Sequence, residues 1–469
     1  MFEDAPEASS DAHHAASSVG PCAIIILGAS GDLTKRKLLP AVAGLARDGY
    51  LPEHFALVAT ARSPISNEEY HKTICQSSKE FGEGGEVPQE ALDRIGKVTR
   101  YVAADLAKPD GQASLLAAVV EAEKEFGTQG NRLFYLSLPP ATYADTVRRL
   151  VEGGLLKRGG ADGAWHRVVV EKPSGTDLKS ALQLNEQLRE LLQERQIFRI
   201  DHYLGKDTVQ NLLVMRFANV IFEPLWNRRY VDHVQLTVGE RIGIEGRGQF
   251  YEAIGTLRDI FQNHLLQLLC LVAMEPPVSF SADSVRDEKV KVLRAVRRWS
   301  SEHEVTENTA RGQYGPGTAD DQPVASYRQE SGVDKKSNRE TYAMTRFLID
   351  NWRWQDVPFY MRSGKRLARR HSEIFMKFKT VPHMMFKATD RDRIQPNSLT
   401  IRIQPDEGIS LSFEAKEPGV EVRLRPVDLD FSYQSGFKTK PPSAYQTLLL
   451  QALQGDATLF TRRDEIEAQ

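Results

Sequence analysis

The sequence predicts an α/β domain built on a doubly wound parallel sheet, followed by a larger α+β domain with a mostly antiparallel sheet. Between residues 21 and 199, short apolar runs alternate with longer amphipathic segments, a pattern typical of parallel strands joined by crossover helices. From residue 200 to 469, strand-like runs follow one another closely, which favours antiparallel pairing. The length of 469 residues also exceeds one ordinary domain.

In the first domain, four apolar runs are the candidate strands, and each is short enough to cross a buried sheet once. The segments between them carry leucines at helical spacing, so they predict crossover helices. Residues 1 to 20 are small and acidic, without a basic start or an apolar segment, and are expected to form a flexible arm rather than a secretory signal. The strand candidates are "CAIIIL", "FALVAT", "RLFYLSL" and "RVVVEKP"; the helix candidates are the segment after Lys37, "GQASLLAAVVEAEKEFG" and "LKSALQLNEQLRELLQE".

The second domain is predicted to pair its strands into one sheet with a long helix on its face. That helix is "GQFYEAIGTLRDIFQNHLLQLLCLVAM". Residues 300 to 338 lack a clear period and are expected to form an exposed connection. The strand candidates are "VDHVQLTV", "VPFYMRSG", "EIFMKFK", "SLTIRIQP" and "GISLSFEA".

The composition argues against a nucleic-acid-binding, membrane-spanning or disulfide-rich protein. The formal net charge of -2 gives no basic field for nucleic acid or an anionic membrane, so neither partner is expected. Cys22, Cys75 and Cys270 are scattered, which predicts no disulfide scaffold and no metal site. The most apolar helical stretch is too short to span a bilayer. We therefore expect a soluble protein of a reducing compartment, the cytoplasm.

The first strand runs into "GASGDLTKRKLLP", which resembles a dinucleotide-binding turn. Gly28 fits the first glycine of that fingerprint, while Ser30 and Leu33 occupy the second and third positions. Gly28 and Gly31 allow a tight turn before a helix start, the Rossmann-like geometry that directs backbone N-H groups at a phosphate. The alternative is an ordinary strand-to-helix turn with solvated lysines.

The end of the second strand indicates which dinucleotide is bound. "FALVATARS" lacks the acidic residue that would hold an adenine ribose hydroxyl and offers Arg62 instead. An arginine there suits a ribose that carries a phosphate, so NADP is favoured over NAD. The alternative is a solvated loop arginine. A further cofactor contact is expected from "LSLPP", whose prolines stiffen the edge of the ligand crevice.

Two polar clusters follow later strands. "VVVEKPSG" places Glu171 and Lys172 at a strand end, where the lysine could reach both cofactor and substrate; the alternative is an exposed surface pair. "RIDHYLGK" then puts an acid, an imidazole, a phenol and an ammonium group between Asp201 and Lys206.

Five segments carry a family resemblance: "GASGDLTKRKLLP", "LFYLSLPP", "VVVEKPSG", "RIDHYLGKDTVQNLLVMRFAN" and "RDIFQNHLLQLLCLVAMEPP". Together they closely resemble the glucose-6-phosphate dehydrogenase family, from about Ala23 to Asp464. The resemblance implies hydride transfer from the anomeric carbon of D-glucose 6-phosphate to NADP, giving 6-phosphogluconolactone and NADPH in the first oxidative step of the pentose phosphate pathway. It also implies a homodimer or homotetramer.

The resemblance also assigns residues. It makes His264 the general base and Asp201 the acid that orients it, although a histidine in the apolar "FQNHLLQLL" would otherwise be interpreted as a core residue. The implied substrate-binding residues are Lys172, His202, Tyr203, Lys206, Glu240, Asp259, Lys365 and Arg370. The implied cofactor-binding residues are Gly28, Ala29, Ser30, Gly31, Asp32, Leu33, Lys37, Arg62, Tyr143 and Lys172.

The sequence departs from the family at a second, structural NADP site that some members have. His371, Phe375 and Ser412 stand where those members have basic residues, although Arg362, Arg402 and Gln404 match. One catalytic NADP is therefore predicted, and the second site stays open.

Two other functions are considered. One is another NADP-dependent sugar dehydrogenase, which would not explain "RIDHYLGK" together with "QNHLLQ". The other is a non-catalytic NADP-binding regulator of the same fold, which need not keep Asp201, Lys172, Lys206 and His264.

Overall fold

The structure is a computed structural model that describes residues 19–161, 163–319, 321–383, 385–386, 394–437 and 440–469. The predicted N-terminal arm therefore lies outside the described residues, apart from its last two positions. The chain packs as two compact units. The first contains the chain up to Gly205 together with Lys440–Glu467, and the second is built mainly from the intervening chain.

The first unit contains the predicted parallel sheet. Its strands lie in the order β6-β5-β4-β1-β2-β3, and every neighbouring pair among these six is parallel. This order, which reverses direction beside β1, is that of a doubly wound nucleotide-binding domain. The strands are β1 Cys22–Leu27, β2 Phe55–Ala61, β3 Thr99–Ala103, β4 Arg132–Leu136, β5 His166–Val170 and β6 Ile197–Ile200.

Helices cover this sheet and bury its apolar runs. All six residues of β1 are buried, and Ala23, Ile25 and Leu27 pack with Leu115 and Val119 in one core. Burial on both faces explains why the predicted strands read as continuous apolar runs. The helices that precede Gly205 are Thr34–Leu38, Leu39–Arg47, Asn67–Phe81, Gln89–Lys97, Pro109–Phe126, Pro140–Thr142, Tyr143–Glu152, Leu178–Leu191 and Glu194–Gln196.

The second unit contains a mostly antiparallel sheet, as predicted. Its strands lie in the order β16-β15-β14-β13-β7-β12-β11-β8, and β7 and β12 form the parallel pair. A separate hairpin joins β9 and β10. The strands are β7 Val231–Gly239, β8 Thr309–Gly312, β9 Gly317–Ala319, β10 Gln322–Val324, β11 Tyr342–Phe347, β12 Phe359–Gly364, β13 His371–Phe378, β14 Ser398–Gln404, β15 Gly408–Lys416 and β16 Leu424–Ser432.

The long helix predicted before these strands is broken. Gly255, inside the segment Gly248–Thr256, has a φ of 68°, outside the helical region, and breaks the helix shortly before a π-helical segment, Leu257–Leu265. A Cβ atom on Gly255 would lie 2.3 Å from Glu340 Oε1, so glycine is required for both space and dihedral angle. The remaining helices of this unit are Asp207–Phe217, Glu223–Leu225, Leu266–Ala273, Ala282–Ala295, Glu302–Asn308, Tyr327–Gln329 and Tyr433–Phe437.

The sequence predicts an exposed connection at residues 300 to 338, but the described residues of this range form regular secondary structure. They contain short helices and strands, and the Tyr327 side chain is buried. The Tyr327 hydroxyl donates to Glu252 Oε1 at 2.5 Å, and Ser337 Oγ donates to the same atom at 2.7 Å. This region is stabilised by side-chain hydrogen bonds to Glu252, which leave no periodic pattern of apolar residues in the sequence.

The C-terminal segment differs from the predicted division at residue 200. It contains the helices Ala444–Gln454 and Arg463–Ala468, with β17, Phe460–Thr461, between them. β17 pairs antiparallel with β6 and so extends the first sheet, which is why Lys440–Glu467 belongs to the first unit. Across the described residues, no helix combines the length and the apolar character needed to cross a bilayer.

Candidate active site

The glycine turn is held tightly at the carboxyl end of β1. Gly28 has a φ of 88°, and its N-H and that of Ala29 both donate to the Thr60 carbonyl at 3.0 Å. A Cβ atom on Gly28 would lie 2.0 Å from the Ser137 carbonyl oxygen. The turn therefore requires glycine because the end of β4 approaches its backbone.

The side chain of Thr34, which was not predicted as a site residue, stabilises this turn through two hydrogen bonds. Its Oγ1 lies 3.0 Å from the Gly28 carbonyl oxygen and 3.0 Å from Ser137 Oγ, and the side chain is fully buried. One hydroxyl can donate to the carbonyl while it accepts from the serine. Nothing in the local sequence indicates this role, since Ser137 is far away along the chain.

The predicted cofactor side chains around the turn differ in exposure. Ala29 is fully buried, whereas Ser30 and Asp32 are exposed. Lys37 forms a surface ion pair with Glu83, with 3.1 Å between Nζ and Oε1. Arg62 is exposed at the end of β2, and no hydrogen bond or ion pair joins it to the other described residues. A backbone turn beside an available guanidinium group fits a dinucleotide whose ribose carries a phosphate.

Glu171, next to Lys172, lies among tyrosines. The Tyr135 hydroxyl donates to Glu171 Oε1 at 2.5 Å, and the Tyr445 hydroxyl is a second hydrogen-bond partner. Burial raises the pKa of Glu171, and the tyrosine hydrogen bonds oppose this shift without cancelling it. Burial and the nearby Glu171 also raise the pKa of Tyr143, the first residue of its helix.

The segment after β6 forms a compact turn. Asp201 is 3% exposed, and its Oδ1 accepts the Tyr203 N-H at 2.9 Å. The His202 ring lies 5.2 Å from the Tyr203 ring and is stacked on the Tyr445 ring at 6.4 Å. Tyr445 comes from the C-terminal segment, so the local sequence gave no signal that it belongs beside His202.

In the second unit, three predicted substrate residues meet at the ends of β7 and β12. Lys365 Nζ donates to Glu240 Oε2 and lies 3.8 Å from Asp259 Oδ2. It also lies over the Tyr251 ring, 5.2 Å from its centroid. The Lys365 side chain is 3% exposed, but those of Glu240 and Asp259 are 28% and 22% exposed. The two carboxylates therefore remain able to accept hydrogen bonds from a polyol.

Two predicted phosphate-binding cations of the second unit share a partner. Lys206 Nζ donates to Gln404 Oε1 at 2.9 Å, and an Arg370 guanidinium nitrogen donates to the same oxygen at 3.4 Å. Gln404 Nε2 in turn donates to Ser372 Oγ at 3.0 Å. The family resemblance associates Gln404 with a different site, the structural NADP site, and the local sequence does not indicate its contacts with Lys206 and Arg370.

His264 lies near the end of the π-helical segment Leu257–Leu265 and is 1% exposed. Asp259 occupies the first turn of the same segment. Asp201, the predicted partner of His264, belongs to the first unit, and His264 belongs to the second. Their pairing therefore stays a prediction.

The fold and these residues define the class of protein. A doubly wound sheet with a glycine turn and a free arginine after β2 is typical of the nucleotide-binding domain of a dehydrogenase. Carboxylates, cations and a buried histidine in the second unit are the groups that binding and oxidising a polar substrate require.

Comparison with known proteins gives the family. Residues 25–211 match the model described as "Glucose-6-phosphate dehydrogenase, NAD binding domain", and residues 213–469 match "Glucose-6-phosphate dehydrogenase, C-terminal domain". The chain is 45% identical to the glucose-6-phosphate 1-dehydrogenase of Chlamydia pneumoniae over 451 residues, which is 96% of this chain and 87% of that protein. It is also 45% identical to that of Aggregatibacter actinomycetemcomitans, over 95% of this chain and 88% of the relative.

A solved structure agrees with these relatives. It is a glucose-6-phosphate dehydrogenase in complex with its substrate glucose-6-phosphate, with a TM-score of 0.86 and 39% identity, covering 97% of this chain and 90% of that one. The chain belongs to the glucose-6-phosphate dehydrogenase family, whose members are oxidoreductases that typically use NADP. The family resemblance and the fold class predicted from the sequence are thereby confirmed.

Proposed function

We propose that this chain oxidises D-glucose 6-phosphate with NADP to give 6-phosphogluconolactone and NADPH. The observation that carries the proposal is the match along nearly the whole chain to a family that includes a structure solved with its substrate glucose-6-phosphate. The paired carboxylates and the cations of the second unit suit the hydroxyl groups and the phosphate of that sugar.

NADP supplies the hydride acceptor when it is bound in the first unit. The turn from Gly28 to Leu33 is the proposed cradle for the diphosphate, with Lys37 beside it. Arg62 is the proposed partner of the ribose phosphate, and its exposed, unpaired guanidinium group supports that role. Tyr143 and Lys172 are the remaining proposed cofactor contacts.

His264 is the proposed general base. It would take the proton of the anomeric hydroxyl as hydride leaves the anomeric carbon, so that the carbon-oxygen bond becomes the lactone carbonyl. Its burial supports this role because an enclosed imidazole is shielded from bulk water. Asp201 is proposed to accept a hydrogen bond from the other ring nitrogen and to stabilise the imidazolium that forms.

The substrate is proposed to be held at two ends. Glu240, Asp259 and Lys365 would bind its hydroxyl groups, and their mutual contacts support a common role. The phosphate would be met by cations and hydroxyl donors, and the shared contact of two of these cations with Gln404 supports their convergence. The proposed phosphate set is His202, Tyr203, Lys206 and Arg370, with Lys172 reaching the sugar.

We further propose a homodimer or homotetramer in the cytoplasm. Val427 and Leu429 on β16 expose apolar side chains, which supports association through this sheet. All three cysteines are free thiols, which supports a reducing compartment. The net charge of -2 supports small-molecule partners over nucleic acid.

The test is NADP reduction by the purified protein with a panel of sugars and sugar phosphates, repeated with NAD. We expect turnover with D-glucose 6-phosphate and NADP. His264→Asn should lower kcat by about 10² to 10⁴-fold and retain substrate binding measured by calorimetry. The matched control is His233→Asn, on β7 away from the described site residues, which should be unaffected.

Three outcomes would contradict the proposal. Activity only with unphosphorylated glucose would point to another sugar dehydrogenase. No turnover with any sugar would point to a regulator. Near-normal turnover in His264→Asn would remove this histidine from the role of base.

A further inference from the structure

Glu340 is a buried carboxylate that neither the family resemblance nor the proposed mechanism uses. Its side chain is only 4% exposed. It directly precedes Thr341 and the strand β11, which lies between β12 and β8 in the second sheet. A carboxylate is removed from water at a substantial cost unless strong hydrogen-bond donors replace the solvent, so a specific partner is required.

Glu340 Oε2 lies 3.9 Å from Arg339 Nη1, and Oε1 contacts the start of the helix that carries Asp259 and His264. Glu340 Oε1 accepts the Leu257 N-H at 3.2 Å, and the Glu340 carbonyl oxygen accepts the Thr256 N-H at 3.2 Å. Helix starts leave several N-H groups without intrahelical acceptors, and a carboxylate there also interacts favourably with the helix dipole. Glu340 therefore caps this helix from 83 positions further along the chain.

The residue at the N-cap position of this helix does not cap it with its own side chain. Thr256, the residue before the helix, has helical dihedral angles and forms no side-chain cap. Its hydroxyl lies 2.6 Å from the Tyr251 hydroxyl and also donates to the Glu340 carbonyl at 3.4 Å. The break at Gly255 admits the glutamate, since any side chain at that position would overlap Glu340 Oε1.

The residue after Glu340, Thr341, is hydrogen-bonded to the backbone of Lys365. The Lys365 N-H donates to the Thr341 carbonyl oxygen at 2.9 Å, and Tyr342 pairs with Gly364 in the sheet. Residues 340 and 341 thus contact the helix start through Glu340 and the Lys365 backbone through Thr341. Asp259 lies in the first turn of that helix, with Oδ2 at 3.8 Å from Lys365 Nζ.

We propose that Glu340 is a positioning residue for the sugar-binding pair Asp259 and Lys365. By capping the helix start, it sets the separation between the Asp259 carboxylate and the lysine, and so the geometry offered to the sugar hydroxyls. It touches neither reacting atoms nor cofactor. This inference rests on the proposed function, because it takes the sugar phosphate as the ligand of that pair.

The test compares Glu340→Asp, Glu340→Gln and the control Glu288→Asp. Aspartate keeps the charge but is one methylene too short to reach the Leu257 N-H, whereas glutamine keeps an oxygen at the same reach without the charge. Glu288 is a comparably buried glutamate of this unit, with Oε1 2.6 Å from Lys291 Nζ, outside the site. Thermal unfolding identifies variants that remain folded.

We expect Glu340→Asp to raise the KM for D-glucose 6-phosphate about tenfold and Glu340→Gln about threefold, a loss typical of one hydrogen-bonded contact. The KM for NADP should stay within about twofold, because the cofactor is bound by the first unit. Discrimination against epimers that differ in one hydroxyl should fall, and calorimetry should show weaker sugar-phosphate binding. Glu288→Asp should change none of these quantities.

The inference is overturned if the folded variants keep the wild-type KM for the sugar phosphate, or raise both KM values in parallel. If Glu340→Asp does not fold, the selective effect of Glu340→Gln decides. Absence of NADP reduction by the wild-type enzyme would instead refute the proposed function. The two failures are therefore distinguishable.

Discussion

The hydroxyl of Thr34 is buried between the Gly28 carbonyl and Ser137. Thr34→Val keeps the shape and removes the hydroxyl, so the partly buried Gly28 carbonyl and Ser137 Oγ each lose a partner, at a cost of about 1 kcal/mol. We expect the Kd for NADP to rise about tenfold and the Kd for the sugar phosphate to change little, as measured by calorimetry. Thr34→Ser is the matched control and should bind NADP nearly as the wild type does. Equal binding by Thr34→Val would remove the hydroxyl from this role.

His166 makes the free energy of unfolding depend on pH. Burial first, and then the nearby Arg132, lower the pKa of His166 to about 4, and its Nδ1 accepts the Lys157 N-H at 2.9 Å. The pKa of a histidine in an unfolded chain is about 6.5. As the pH falls from about 6.5 to about 4, the unfolded state therefore binds more protons than the native state, and the free energy of unfolding decreases.

We expect this histidine to remove about 2 kcal/mol of stability between pH 7 and pH 5. In His166→Gln that part of the pH dependence should be absent, although the variant itself is less stable at pH 7. The measurement is urea unfolding at both pH values. His303→Gln, at an exposed position, should keep the wild-type slope. An unchanged slope in His166→Gln would contradict the assigned pKa.

At the scale of elements, the sequence predicted strands that bury either a continuous apolar run, as in β1, or every second residue, as in β13 and β14. β1 was predicted at its observed limits because all of its residues are apolar and buried. β16 was missed because most of its residues are exposed, and β17 because it is two residues long and pairs with a strand far away in the sequence. The helix break at Gly255 was also missed, since a single glycine inside a helical pattern is often tolerated.

Some residues of the candidate site could be predicted from the sequence, and others could not. Its residues in "RIDHYLGK" and "QNHLLQ" were found because they lie in short segments that resemble the family. Thr34, Glu340, Gln404 and Tyr445 were not assigned these roles, because each acts through a partner that only folding brings close. Long-range hydrogen bonds leave no period or spacing in the sequence.

For the whole molecule, the C-terminal segment is part of the first unit. Gln446 Nε2 donates to Asp48 Oδ2 at 2.6 Å, and Arg167 donates to the carbonyls of Ala452 and Leu453 at 2.9 and 2.6 Å. The end of the helix Ala444–Gln454 is thereby capped by an arginine from β5. Without this segment, Arg167, Asp48 and the edge of β6 would each lose a partner.

This arrangement predicts how fragments of the chain behave. A fragment of residues 19–205 alone should unfold without a cooperative transition, or at least about 10 °C below a fragment in which residues 440–469 are rejoined to it. A short glycine-serine linker is enough, because Gly205 packs against the Ala444 carbonyl. The rejoined fragment should also bind NADP more tightly, since Tyr445 then supports Glu171 beside Lys172.

Thermal unfolding and calorimetry with NADP measure the two effects. Within the rejoined fragment, Arg167→Ala should lower the unfolding temperature because two helix carbonyls lose their donor. Lys124→Ala is the control, because Lys124 is exposed and does not contact the C-terminal helix. If residues 19–205 alone unfold at the same temperature and bind NADP equally well, the C-terminal segment is an accessory to the first unit. The expected result makes it a structural component, because the sheet edge and the partly buried Arg167 both depend on it.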